Sequence, residues 1–195
     1  THMESAYLDW KSSVLEISRT VSMAKEGQFE DFKESVNEAL NNPGTPITGS
    51  EPAHTLTLNS ESHCLEASIE LATLNLTNDY NMAGLGSSRR IKQISITLPT
   101  LLGPYQDIQA VMTYTNGPLG IHSSCKQIAI SHGMNDSGQF QLNFDDREYL
   151  PFEGLPIDSG NLTFKFPNAS TDQNKQVSIL QHLNDIILHI NYTIR

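Results

Sequence analysis

Two hydrophobic periods divide the chain. From Ser5 to Lys25 the apolar positions Tyr7, Trp10, Val14, Ile17, Val21 and Ala24 recur at intervals of 3, 4, 3, 4 and 3, the repeat of an amphipathic helix. Leu8 and Leu15 widen that stripe, Gly27 interrupts it, and a second stripe of Phe29, Phe32, Val36 and Leu40 ends at Asn41-Asn42-Pro43-Gly44. Between Asn41 and Pro52 stand Pro43, Gly44, Pro46, Gly49 and Pro52 without any apolar repeat, which reads as a linker or long loop. From His54 onward the period falls to two. The alternation is clear in Leu65-Ala67-Ile69-Leu71, Ile94-Ile96-Leu98, Phe140-Leu142-Phe144, Leu162-Phe164-Phe166 and Ile186-Leu188-Ile190-Tyr192. Shorter runs lie at Thr55 to Leu58, Ile108 to Tyr114 and Gln127 to Ser131, and Ser170 to Leu183 suits either a loop or a short helix.

Seven to nine short strands, punctuated by Asn116-Gly117-Pro118, Asp136-Ser137-Gly138 and Asp158-Ser159-Gly160, predict an antiparallel β-sandwich. The expected whole is mainly β, with an N-terminal α-helical segment or hairpin. Residues 1–3 read as a cloning-tag remnant, 4–41 as helical, 42–53 as linker and 54–195 as sandwich. A lone helix of about 20 residues is marginal in water, so the face of Tyr7, Trp10, Val14, Ile17 and Val21 needs a cover. The second helix or the sandwich would supply it within the chain; a longer helical bundle would supply it from outside.

Charge and composition narrow the functions. A formal charge of −10, with only 12 Lys and Arg, argues against a nucleic-acid backbone and against anionic lipid surfaces. No apolar run approaches the roughly 20 residues that span a bilayer as a helix. Cys64 and Cys125 are too few for a disulfide framework and lack metal-ligand spacing, so they read as ordinary thiols.

A search for chemistry returns little. There is no Gly-x-Ser-x-Gly elbow, and Ser131-His132 beside Asp136-Ser137 is adjacency without aimed geometry. Asp145-Asp146-Arg147-Glu148 lacks the ligand ladder of a calcium loop and reads as a solvated turn. Gly84 and Gly86 precede Ser87-Ser88-Arg89-Arg90 outside any phosphate-cradling context, and Arg89, Arg90 and Lys92 form a charged strand edge. No enzyme, cofactor or metal is expected. The one segment rich in aromatic and rigid residues is Tyr149-Leu150-Pro151-Phe152-Glu153-Gly154-Leu155-Pro156, whose prolines bar it from a central strand. Tyr149 and Phe152 there read either as plugs at one end of the sandwich or as partner anchors.

Several stretches resemble the C-terminal domain of Tc toxin A components. They are Arg89-Arg90-Ile91-Lys92 leading into Thr97-Leu98-Pro99, Gly103-Pro104-Tyr105, and His132-Gly133-Met134-Asn135-Asp136-Ser137-Gly138-Gln139-Phe140. Tyr149-Leu150-Pro151-Phe152-Glu153-Gly154 and the terminal Asp185-Ile186-Ile187-Leu188-His189-Ile190-Asn191-Tyr192-Thr193 complete the set. Together they span most of residues 80–195, and residues 4–25 resemble the helix leading out of that family's pore-forming region. The resemblance implies a protein-docking module that binds the β-propeller of the B component and couples the B–C cocoon to the translocation channel of a pentameric A subunit. It also implies a bacterial toxin complex that is secreted or held at the cell surface. Partner-binding residues are expected in exposed turns, at Asp145, Asp146, Arg147, Tyr149, Phe152 and Glu153, the usual place for binding groups on a rigid scaffold. The rival expectation is a carbohydrate-binding β-sandwich, since aromatic turns and Asp-rich loops also suit sugars.

Overall fold

A computed structural model describes residues 15–50, 52–76, 89–100, 107–115, 126–133, 139–142, 152, 154–170 and 176–194, with backbone alone for 126–133 and 139–142. The strands are β1 (Leu15–Ser22), β2 (Ile47–Ser50), β3 (Ala53–Asn59), β4 (Cys64–Glu70), β5 (Arg89–Pro99), β6 (Asp107–Thr115), β7 (Lys126–Gly133), β8 (Gln139–Leu142), β9 (Asn161–Phe166) and β10 (Ile187–Ile194). The helices are α1 (Phe29–Asn41) and a single turn, α2 (Val177–Leu180). Two antiparallel sheets form, one of order β1-β10-β5-β8 and one of order β2-β3-β4-β9-β6-β7. The alternation that predicted the strands places Leu56, Leu65, Ile69, Leu162, Phe164, Met112 and Tyr114 in one buried layer. Ile91, Ile94, Ile96, Leu188, Ile190 and Tyr192 form the facing layer. The mainly β sandwich with a helix near its N-terminus is thus the observed architecture.

The first helical stripe is corrected over its described part. Leu15–Ser22 is a strand, paired in full with the last strand from Leu15↔Ile194 to Ser22↔Ile187. Ile17 and Val21 therefore lie on β1 and turn toward the core, while Glu16, Ser18 and Thr20 are exposed. The same residues fit both periods. The free edge of β10 decides between them, because eight ladder positions outweigh weak helix propensity in a segment holding Ile17, Thr20 and Val21. Tyr7, Trp10 and Val14 lie outside the described residues. The linker reading is also corrected, since Ile47–Ser50 pairs with β3 from Ile47↔Leu56 to Ser50↔Ala53. A four-residue edge strand can sit between Pro46 and Pro52 because its outer N–H groups need no partner within the sheet.

Helix α1 solves a mismatch between the layers. Six strands facing four leave the β2–β3 margin of the larger sheet uncovered, and α1 packs there with Phe32, Val36, Ala39 and Leu40 buried. The turn before it needs a left-handed residue, supplied by Gly27 at φ +78. Two polar side chains then fix the connections. The fully buried Asp185 accepts hydrogen bonds from Ala24 N and Ile186 N, both at 2.7 Å, and from the Ser22 hydroxyl, tying the exit of β1 to the entry of β10. The Gln176 amide accepts from Gln109 N at 2.7 Å and donates to Gln109 O at 3.0 Å and Pro167 O at 2.7 Å. It supplies β6 with a ladder partner just beyond the end of β9, so the backbone groups there are not left unpaired.

Candidate docking surface

The best-defined irregular segment follows from unequal strand lengths. β8 pairs β5 only from Ile96 to Pro99, which leaves the opposite end of β5 without that neighbour. Residues 154–157 take the place. Gly154 N donates to Ile91 O at 2.7 Å, Ile91 N to Leu155 O at 2.8 Å and Ile157 N to Arg89 O at 3.2 Å, with Arg90 bridging Pro156. Two residues of this turn have left-handed backbones, Gly154 at φ +81 and Phe152 at φ +63. For phenylalanine that conformation costs roughly 1–2 kcal/mol. Burying its ring, only 2% exposed, returns about 1.5–3 kcal/mol, so the conformation is sustained.

Tyr114 holds the turn from beneath. Its ring lies 6.1 Å from that of Phe152, and its hydroxyl donates to Pro156 O at 2.8 Å, with Ser159 O at 3.3 Å as a second acceptor. Above, Arg90 Nη1 donates to Gly154 O at 3.0 Å. Burial raises the Tyr114 phenol above its ordinary pKa, the Asp158 carboxylate adds to the rise, and Arg90 opposes it. The result is a stiff segment, 154–160, carrying exposed Arg90 and Gly154 and half-buried Leu155, Pro156 and Asp158 at its surface.

Of the partner-binding residues expected from sequence, Asp145, Asp146, Arg147, Tyr149 and Glu153 lie outside the described residues. Phe152 is corrected: its ring is inside the sandwich against Tyr114, so it anchors the turn and does not present itself to a partner. The basic trio separates. Arg89 is buried, Arg90 caps the turn, and Lys92 pairs with Glu16 of β1 at 2.6 Å. His132 falls on β7 opposite Ile108, while Asp136 lies outside the described residues. Of the residues that fix the turn, Gly154 is marked in sequence as part of a rigid segment, but Tyr114 is not singled out. Alternation marks Tyr114 only as a core position, and no local signal names its acceptors 42 and 45 residues away. Among the described residues no three or more His, Cys, Asp or Glu side chains gather where they could hold a metal ion.

These features define an antiparallel β-sandwich with one surface turn fixed by hydrogen bonds from its core and its sheet. Residues 50–194 match the sequence family described as the Tc toxin complex TcA C-terminal TcB-binding domain. The chain belongs to that family. Toxin subunit YenA2 of Yersinia entomophaga is 37% identical over 130 residues, an overlap of 54% of this chain and 9% of that protein. The cryo-EM structure of Yersinia pseudotuberculosis TcaA-TcaB superimposes at a TM-score of 0.69 with 46% identity, covering 93% of this chain and 10% of that one. Morganella morganii TcdA4 gives a TM-score of 0.64 and 40% identity, covering 100% of this chain and 8% of that one. The chain therefore spans about a tenth of the length of these relatives.

Proposed function

We propose that this domain binds the β-propeller of the toxin's B component and couples the B–C cocoon to the translocation channel of the A subunit, a pentamer within a secreted toxin complex. The observation that carries the reading is the family match over residues 50–194, which takes in β3 to β10 and the stapled turn. Docking asks for shape and charge complementarity on a rigid support and for no bond-making chemistry. A sandwich with a hydrogen-bonded surface turn supplies that support. The contacts are assigned to the turn region of Asp145, Asp146, Arg147, Tyr149 and Glu153, with Phe152 as its buried anchor. Arg90, exposed beside Gly154, adds a cationic group at the described part of the turn.

Competition tests this directly. An excess of the purified domain should block assembly of the full A subunit with the B–C complex in proportion to occupancy. Undiminished assembly at saturating domain would refute the proposal. Alanine at Tyr149, or at Asp145 and Asp146 together, should weaken the competition without shifting the melting temperature.

A further inference from the structure

We infer that Tyr114 and Gly154 are positioning residues of the docking surface: they touch no partner, yet they set its affinity by holding residues 154–160 in one conformation. The inference rests on the docking role proposed above for this turn region and adds the groups that preorganise it.

Three independent contacts converge on the segment. From the core, the Tyr114 hydroxyl reaches Pro156 O and Ser159 O. From the sheet, Arg89 and Ile91 exchange backbone hydrogen bonds with residues 154–157. From the surface, Arg90 donates to Gly154 O. Gly154 itself is required by its φ of +81, a conformation L side chains rarely adopt, although a Cβ there would meet nothing within 4 Å. A turn so held arrives at its partner already ordered, and binding does not pay the loss of its conformational freedom. Loosening it should therefore weaken association even though the exposed side chains stay the same.

The protein contains its own control. Gly44 has φ +80 and Gly154 φ +81, and neither has an atom within 4 Å of an added Cβ. Gly44→Ala and Gly154→Ala therefore impose the same kind of backbone strain, but Gly44 lies at the end of α1, with its N–H on Leu58 O, remote in sequence from the turn. Tyr114→Phe removes one hydroxyl and keeps the buried ring.

The experiment measures affinity for the purified B component, together with melting temperature, for the wild type, Tyr114→Phe, Gly154→Ala, Gly44→Ala and Tyr149→Ala. The expected result is that Tyr114→Phe and Gly154→Ala each weaken binding about fivefold, the worth of one ordinary hydrogen bond. Gly44→Ala should lower the melting temperature as much as Gly154→Ala while binding like the wild type. Equal loss of binding in Gly44→Ala and Gly154→Ala would reduce the effect to global stability and overturn the inference. Wild-type affinity in both Tyr114→Phe and Gly154→Ala, with Tyr149→Ala weakened, would overturn it and leave the docking role standing. Failure of the wild type itself to bind would remove the docking role and the inference with it. Should Tyr114→Phe not fold, the pair of glycine variants decides alone.

Discussion

A methyl group added at Gly49 would stand 2.7 Å from Nδ1 of His54 and closer still to the ring atoms Cε1 and Nε2, because the imidazole lies over the glycine directly opposite it in the β2–β3 ladder. The ring is held there by its Nδ1–H, which donates to Pro52 O at 2.7 Å, and by Phe32 of α1 at a centroid distance of 6.0 Å. An aromatic ring covering a cross-strand glycine is a known device for stabilising a weak edge. Gly49→Ala should force the ring off both contacts and destabilise the domain by about 1–3 kcal/mol, the usual range for overpacking. Thermal or urea unfolding reads the change. In Gly49→Ala with His54→Ala the clash is gone, so the double variant should be more stable than the sum of the two single effects.

Asp185 offers a second, sharper test, of how β1 is tied to β10. Replacing it with Ala leaves the buried N–H groups of Ala24 and Ile186 without their acceptor, at about 2–4 kcal/mol for the pair. Asp185→Asn keeps one acceptor oxygen and should cost less. Equal losses for the two variants in urea unfolding would show that the carboxylate oxygens do not serve as the acceptors described.

Alkaline pH should act through Tyr114. Its phenol is neutral when protonated, and burial raises its folded pKa above the ordinary value of 10.0. The unfolded chain therefore releases the proton first. The stabilisation is complete below pH 10 and fades as pH climbs from there through the raised folded value. Unfolding free energy should fall more steeply above pH 10 in the wild type than in Tyr114→Phe. Identical slopes would contradict the burial of this hydroxyl.

The folding unit is larger than the stretch the family defines. The match begins at residue 50, yet Met23, Phe32, Val36 and Leu40 belong to the same core as the sandwich. Four such side chains carry roughly 6–12 kcal/mol of burial, comparable with the ~5–15 kcal/mol that a whole domain commands. Removing residues 1–49 also opens the edge of β10 along eight positions. The truncated chain should lose cooperative unfolding and associate, which size-exclusion chromatography and calorimetry detect. A monomeric, cooperatively melting fragment would show that β1 and α1 are accessory.

What could be read in advance follows the physics of each element. Strands β3 to β6, β9 and β10 carry inward apolar side chains at alternate places, and a half-buried strand cannot avoid that signature. Leu15–Ser22 has two apolar periods at once, and only the vacancy beside β10, more than 160 residues away, selects the strand. β2 hides between prolines because four residues are too few for a period to emerge. The turn at Phe152 was legible as rigid from its prolines and glycine. Its inward ring was not, since a left-handed phenylalanine has no local cue and depends on Tyr114 lying beneath it. Tertiary register, absent from any window of sequence, accounts for the misses at Leu15–Ser22 and Phe152.

The most direct measurement is an isothermal titration of this domain with the purified β-propeller of the B component, using the denatured domain as a blank. A docking role predicts saturable binding that is lost when Tyr149 and the acidic pair Asp145 and Asp146 are replaced by alanine. Heats indistinguishable from the blank at every concentration would contradict it.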